Sequence, residues 1–560
     1  MPSKYDKEAA DRLAESIAAD PHTYELADTI ADVIGLRTDF ERAENRVCLL
    51  VDVLGRGLGS RKAAAEHMTV PGKWRRILQI SNELDGGAML AWNPPTENRV
   101  RQWRTRILPD RKRPDHKVVP ESLGRIQAKV MELGVRRAVQ LGQFPDGVDP
   151  DFTVPDWRHM LIGDGTWVKE YSKAETVIDP ELGEVRRHSR ANGKPRQQQF
   201  ADSWKKHGKL VNGVLHVVLI TETPVGWVFL GGDQTFGGES DSALGLVEQV
   251  TGHLGERVHT LCYDRGFTGW PVNWLMARHG IPVISTANPE TKEEDDPELD
   301  QHTLDAKTAL AGLLPASDRR RAKLVPLRAQ RALQVAANAD QMREHRDLGL
   351  PAGIGLPLGR CYYLTSGDNV EKVISVHHEY KTVEHHRPDG SVCQHHMYVD
   401  DAALWEAVEQ DRQWVKAQRP TCSPARRMLD PATGAWTLVM DWELHCAETG
   451  HVQREKTCWK PELHRHKADK HRSRTPEEIA LEAMDPLPRC DAAFGTAYGR
   501  RNESESWFSW YKSTLRRGSS AASLSLDHQL LDVLFAGMVT NSRALRRARL
   551  TGLVAAETAA

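Results

Sequence analysis

The stretch Tyr498 to Lys512, YGRRNESESWFSWYK, sets side chains of four chemical types at fixed intervals: Tyr498, Arg501, Glu505 and Lys512. On a helix of 3.6 residues per turn these four fall within a sector of about 60°. One face then carries a carboxylate flanked by a phenol, a guanidinium and an ammonium. The carboxylate can hold a divalent metal, and the cations suit phosphate oxygens. Glu503 does not share that face, because two residues on a helix lie about 200° apart. Asn502 offers Glu505 a rival role, as the N-cap of a capping box that Glu505 would complete, with Tyr498 in the preceding turn. Trp507 and Trp510 read as core residues, with stacking on a base as the functional alternative.

A single carboxylate does little alone, so partners must come from other elements. RHMLIGDGTWVKEY, from residue 158, predicts a strand with Asp164 inside an apolar run. The polar, basic EVRRHSRANGKPRQQQFADSWKKHGK predicts an extended loop or hairpin. LVNGVLHVVLITE and GWVFLGGD predict two more strands, and SDSALGLVEQVTGHLG a helix. VHTLCYDRGF predicts a strand ending at Asp264, WPVNWLMARHG a helix and IPVISTA a last strand. Three strands, helix, strand, helix, strand is the element order of an RNase H-like α/β domain. Taken singly, Asp164 in DGT reads as a turn residue and Asp264 in DRGF is evenly balanced. Order, element context and the downstream spacing together select a catalytic set of Asp164, Asp264 and Glu505. Carboxylates at the ends of two adjacent strands, with one from a packed helix, can hold two Mg²⁺ or Mn²⁺ ions about 3.5–4 Å apart. Such a pair activates a water or a 3′-hydroxyl for in-line displacement at phosphorus.

The spacing Y-x2-R-x3-E-x6-K, with the two upstream aspartates, resembles the signature of bacterial insertion-sequence DDE transposases of the YREK type. The resemblance covers residues 157–287 and 486–545, and Arg265-Gly266 after Asp264 also fits it. It implies nicking at a transposon end, followed by attack of the freed 3′-hydroxyl on target DNA. It further implies two Mg²⁺ (or Mn²⁺) ions on Asp164, Asp264 and Glu505. Tyr498 and Arg501 would lie near the terminal phosphates, and Lys512 near the DNA end. The partners implied are double-stranded DNA with terminal inverted repeats, target DNA, and a second copy of the chain in a synaptic complex. A metal-dependent nuclease or resolvase without strand transfer, and a domesticated DNA-binding protein, stand as rivals.

The remaining elements must bind and frame this chemistry. Residues 1–150 predict a helical DNA-binding region. Within it, Ser60–His67 and Lys73–Ile77 form either a helix-turn-helix or a generic amphipathic helix pair. ENRVRQWRTRILPDRKR, residues 97–113, gathers Arg99, Arg101, Arg104, Arg106, Arg111, Lys112 and Arg113 around Trp103, and predicts a phosphate-contacting surface. Residues 120–142 predict another amphipathic helix, and PDGVDPDFTVPDW a linker near residue 150. The catalytic domain would then run over 151–287, be split by a β-rich insertion at 288–485, and resume at 486–560 with C-terminal helices. The insertion opens with the acidic PETKEEDDPELD and a basic helical stretch, LPASDRRRAKLVPLRAQRALQ. It resembles the β-rich insertion of such transposases, which shields and grips the DNA end. It differs in its histidines and cysteines: the spacing of His377, His378, His385, His386, Cys393, His395, His396, His445, Cys446, His451 and Cys458 matches no standard zinc module, and these histidines read as solvated or hydrogen-bonded.

With 75 basic against 77 acidic residues in 560, net charge says nothing about nucleic acid, so local clusters carry that case. The N-terminus is polar with no signal-peptide core, and no apolar stretch reaches membrane-spanning length. Eight cysteines without CxxC pairs predict reduced thiols in a cytoplasmic, nucleoid-associated protein.

Overall fold

A computed structural model describes residues 7–85, 93–108, 118–169, 174–179, 183–188, 190–191, 194–195, 202–206, 209–235, 238–264, 267, 270–285, 361–366, 369–376, 378–387, 389–400, 403–410, 413–418, 420–446, 450–459, 484, 487–488, 492–514, 523 and 525–554. The acidic stretch after residue 287, the basic helix expected after it, and Arg111, Lys112 and Arg113 lie outside the described residues. The chain is a mixed α/β protein of two compact units. The first joins residues 1–148, 156–271 and 500–560; the second joins 149–155 with 272–499. Among the described residues no helix is long and apolar enough to cross a membrane.

Seven helices open the first unit: α1 (Lys7–Ala18), α2 (Pro21–Val33), α3 (Asp39–Gly57), α4 (Arg61–Met68), α5 (Pro71–Asp85), α6 (Glu97–Ile107) and α7 (Glu121–Gln140). Local chemistry fixes their starts. Thr38 and Glu41 form a capping box at α3, Ser60 caps α4 and Thr96 caps α6. A sheet follows, built on β1 (Met160–Lys169). β2 (Ala174–Asp179), ahead of the basic stretch, pairs with β3 (Gly183–His188), and within that stretch β4 (Arg190–Ala191) pairs with β5 (Lys194–Pro195), followed by β6 (Asp202–Lys206). β7 (Lys209–Thr223) and β8 (Gly226–Thr235) form a hairpin, followed by α8 (Glu239–Leu254) and β9 (Thr260–Cys262).

The strand order in this unit is β8-β7-β1-β9, with β7 antiparallel to β8 and β1, and β9 parallel to β1; β6 also pairs with β7. Helices cover both faces. A Cβ on Gly231 would meet Met131 of α7 and Leu246 of α8, whereas one on Gly232 would meet Val533 of the C-terminal helix. That helix, α12 (Leu526–Leu550), is buried along most of its length. Its Asn541 accepts from Phe229 N–H at 2.7 Å and donates to Phe229 C=O at 3.0 Å. The amide thus satisfies the exposed backbone of edge strand β8, a protected edge rather than a pairing template.

The N-terminal helices belong to this unit because polar groups as well as apolar ones lock them to α12. Asp20, fully buried before α2, accepts from Arg137 of α7 at 2.5 Å and from Ser542 of α12 at 2.8 Å.

α9 (Trp270–His279) carries the chain into the second unit, which contains β10 (Val283–Ile284). There β11 (Cys361–Ser366) pairs with β12 (Asn369–Val376). A four-stranded antiparallel sheet follows: β13 (His378–His386), β14 (Val392–Asp400), β15 (Ala403–Gln410) and β16 (Gln413–Gln418). A second comprises β17 (Thr421–Cys422), β18 (Arg426–Leu429), β19 (Trp436–His445) and β20 (Val452–Trp459). Met397, Val399 and Leu404 of the first sheet pack against Leu438, Met440 and Trp442 of the second in one apolar core. The short α10 (Ala492–Gly499) ends this unit; α11 (Arg501–Thr514) begins the return to the first.

Candidate functional site: a carboxylate cluster beside two parallel strands

Strand register brings two of the expected residues together. β1 and β9 run parallel with Met160 opposite Thr260, Leu161 opposite Leu261 and Ile162 opposite Cys262. Two residues further along each chain stand Asp164, still within β1, and Asp264, just past the end of β9, with carboxylate oxygens within 4.8 Å of each other. A third carboxylate joins them: Asp164, Asp264 and Glu239, the first residue of α8, each offer an oxygen within 4.8 Å of the others.

The glycines flanking Asp164 make this approach possible. A Cβ on Gly163 would sit 2.5 Å from the Tyr263 ring, and one on Gly165 would sit 2.2 Å from a Glu239 oxygen. Tyr263 O–H donates to Glu239 at 3.0 Å, and Gly165 N–H donates to Asp164 Oδ1 at 2.9 Å. Burial, reinforced by the charges of Asp264 and Glu239, pushes the Asp164 carboxyl up to about 7 against the pull of Arg501. Burial and then Asp264 likewise raise Glu239. Asp164 and Glu239 are therefore held where their ionised forms are disfavoured. Crowded, partly desolvated hard-oxygen donors of this kind fit a divalent cation such as Mg²⁺ or Mn²⁺.

α11 presents Arg501 and Glu505 to this cluster. Arg501 donates to Glu505 Oε1 at 2.8 Å, and its other terminal nitrogen lies 3.8 Å from Asp264 Oδ2. Glu505, with a side chain 52% exposed, meets Arg501 and does not join the compact trio. Glu503 points elsewhere, as helical spacing requires: Trp227 Nε1–H donates to it. Lys512 lies half-buried in the last turn of α11. The helix begins at Arg501, so Asn502 sits exposed within its first turn rather than at the N-cap that the rival capping-box reading of Glu505 required. Tyr498 belongs to α10 in the second unit, where its ring stacks on Phe494 at 5.3 Å. Trp507 is core: fully buried, stacked on Phe229 at 5.5 Å and bonded to Thr540. Trp510 lies under the Arg543 guanidinium at 5.1 Å.

The basic stretch divides along α6. Arg101 and Arg106 are exposed, and Arg99 pairs with Glu44 at the surface. Arg104 departs from the expectation of a phosphate contact. Its guanidinium is 1% exposed and bonds Asp52 at 2.9 Å, Asp532 at 2.8 Å and His528 C=O at 2.9 Å. Trp103 is likewise interior, donating to Asn45 at 2.7 Å. Ser60–His67 and Lys73–Ile77 fall on α4 and α5, joined by two residues, with Trp74 and Ile77 buried.

Glu239 had no distinguishing signal. An acid in the first turn of a helix complements the helix dipole wherever it occurs. Only the glycine two residues past the strand's apolar run, at Gly165, marks where another side chain needs room. Comparison with protein-family models, with curated proteins and with solved structures finds no match to this chain.

Proposed function

We propose that the chain is a DNA transposase of the DDE type, cleaving transposon ends and joining them to target DNA. One observation carries the reading: Asp164, in the middle of β1, and Asp264, two residues past the end of the parallel β9, bring their carboxylates together beside the helix that bears Arg501 and Glu505. The strand order β8-β7-β1-β9 supports an RNase H-like assignment for the first unit, with the second unit as its β-rich insertion. Asp164 and Asp264 would hold divalent metal, with Glu505 or Glu239 completing the set. Bound there, two Mg²⁺ or Mn²⁺ ions would activate the attacking oxygen and stabilise the leaving 3′ oxygen.

The chain's own residues do the rest. Arg501 keeps Asp264 and Glu505 oriented, and its planar guanidinium can turn to a phosphate that enters between them. Gly163 and Gly165 keep room for Tyr263 and Glu239 beside Asp164. Arg99, Arg101 and Arg106 offer sequence-independent attraction to the duplex backbone. The partners on this reading are terminal inverted repeats, target DNA and a second copy of the chain, acting at the nucleoid.

The test is Mg²⁺-dependent cleavage and joining of DNA carrying the repeats that flank the coding sequence, by wild type and by Asp164→Asn and Asp264→Asn. Both variants should bind ends and cut nothing. Cleavage without joined product would favour a nuclease, and binding without cleavage by wild type a DNA-binding protein. Wild-type cleavage by either variant would remove the metal assignment.

A further inference from the structure

We propose that Cys393, His395 and Cys446 bind one zinc ion that ties together the two sheets of the second unit. Cys393 and His395 stand two apart on β14 and so share a face, while Cys446 follows the last residue of β19 in the other sheet. All three are buried, and their ligand atoms lie within 4.8 Å of one another. The separations fit tetrahedral zinc. With Zn–S near 2.3 Å and Zn–N near 2.05 Å, two thiolates sit about 3.8 Å apart, and a thiolate and an imidazole nitrogen about 3.5 Å. Here Sγ of Cys393 is 3.9 Å from Sγ of Cys446 and 3.4 Å from Nε2 of His395. A disulfide needs its sulfurs at about 2.05 Å, far closer than this arrangement.

The histidine is oriented for the role. Nδ1 of His395 contacts Glu406, a fully buried carboxylate on the neighbouring β15, and Nε2 faces Cys393; with the proton on Nδ1, the Nε2 lone pair would point at the sulfurs. Metal-bound histidines carry such a carboxylate partner. His385, outside the trio, would supply the fourth ligand. It is the cross-strand partner of Cys393, and its ring stacks at 4.1 Å on His451, whose C=O accepts from Cys446 N–H at 2.9 Å. Of that pair His385 is the less exposed. No zinc-module spacing exists in the sequence because the thiols stand fifty-three residues apart, one on each sheet. Zinc entry releases the two thiol protons to solvent.

Full-length protein, purified without chelator, should contain one zinc per chain by atomic emission. Exchange for Co²⁺ should give the visible bands of a tetrahedral thiolate site. Cys393→Ser and Cys446→Ser should lose both signals, His385→Ala should weaken binding at least tenfold, and Cys422→Ala should change neither. Asp164→Asn should keep its zinc, which separates this site from the carboxylate cluster and from any failure of the transposase reading. Folded wild type with substoichiometric zinc after growth in zinc-supplemented medium, or a Cys393–Cys446 disulfide in it, would overturn the site. Unchanged affinity in His385→Ala would overturn the fourth ligand.

Discussion

Replacing Asp164 with asparagine should stabilise the metal-free protein, and the gain should appear only as pH rises. In the folded chain the Asp164 carboxyl titrates near pH 7, because it is buried beside Asp264 and Glu239. In the unfolded chain it titrates near 3.9. Below about pH 4 both states carry the proton and nothing distinguishes them. Between about 4 and 7 the folded state holds the proton more often, so wild-type stability falls as pH rises and levels off above 7. A shift of about three units corresponds to an upper bound of about 4 kcal/mol. Coupling to Asp264 and residual solvation reduce this, and about 2–4 kcal/mol is the expected gain. At roughly 2 °C per kcal/mol, that is about 4–8 °C in the melting temperature of the first unit. The assay is a thermal melt of both proteins at pH 5 and pH 8 in metal-free buffer, without chelator so that any zinc elsewhere stays bound. Added Mg²⁺ should raise the wild-type transition at pH 8 and move the variant much less, since only the native cluster binds it. An Asp164→Asn protein no more stable than wild type at pH 8 would refute the crowding of these carboxylates.

Other substitutions probe the remaining assignments. Arg104→Met should destabilise the first unit by about 3–5 kcal/mol in urea unfolding, because Asp52 and Asp532 would remain buried with a cation removed; Arg101→Ala should stay within about 0.5 kcal/mol of wild type. Arg99, Arg101 and Arg106 changed together to alanine should weaken DNA binding and flatten its salt dependence, whereas an unaltered slope would make them a solvated face. Glu505→Gln should abolish cleavage of a pre-bound end and Glu503→Gln, whose carboxylate bonds Trp227, should retain most of it. An inactive, folded Glu239→Gln beside an active Glu505→Gln would hand the third metal position to α8.

Sequence pattern reveals β1, β7 and β8 because each is largely buried and carries a short apolar run, Met160–Ile162, Val217–Ile220 and Trp227–Leu230. It missed β15 and β16. ALWEAVEQ spaces Leu404, Trp405 and Val408 as a helix would, and only pairing with β14 makes it a strand. Arg104 was readable in retrospect. Val100, Trp103 and Ile107 define the buried stripe of α6, and Arg104, four residues after Val100, falls on it. The density of charge around it masks that phase in the sequence. The carboxylate pair was legible as two motifs, but their adjacency depends on the parallel register of β1 and β9. The thiol pair of the second unit depends on two sheets meeting, and no local pattern encodes that.

The choice between Glu239 and Glu505 turns on Arg501. Its one positive charge faces Asp264 and Glu505, while Glu239 leans on Tyr263 and the first turn of α8. Divalent metal arriving among Asp164, Asp264 and Glu239 would repel the guanidinium and remove its reason to stay beside Asp264. Glu505, half exposed and four residues along the same face of α11, would then lose its cation and face a stronger one. The trio and the α11 glutamate are on this view two arrangements of one site, exchanged by charge. On the transposase reading Arg501 would offset part of the cluster's negative charge in the first arrangement and be free for a DNA phosphate in the second.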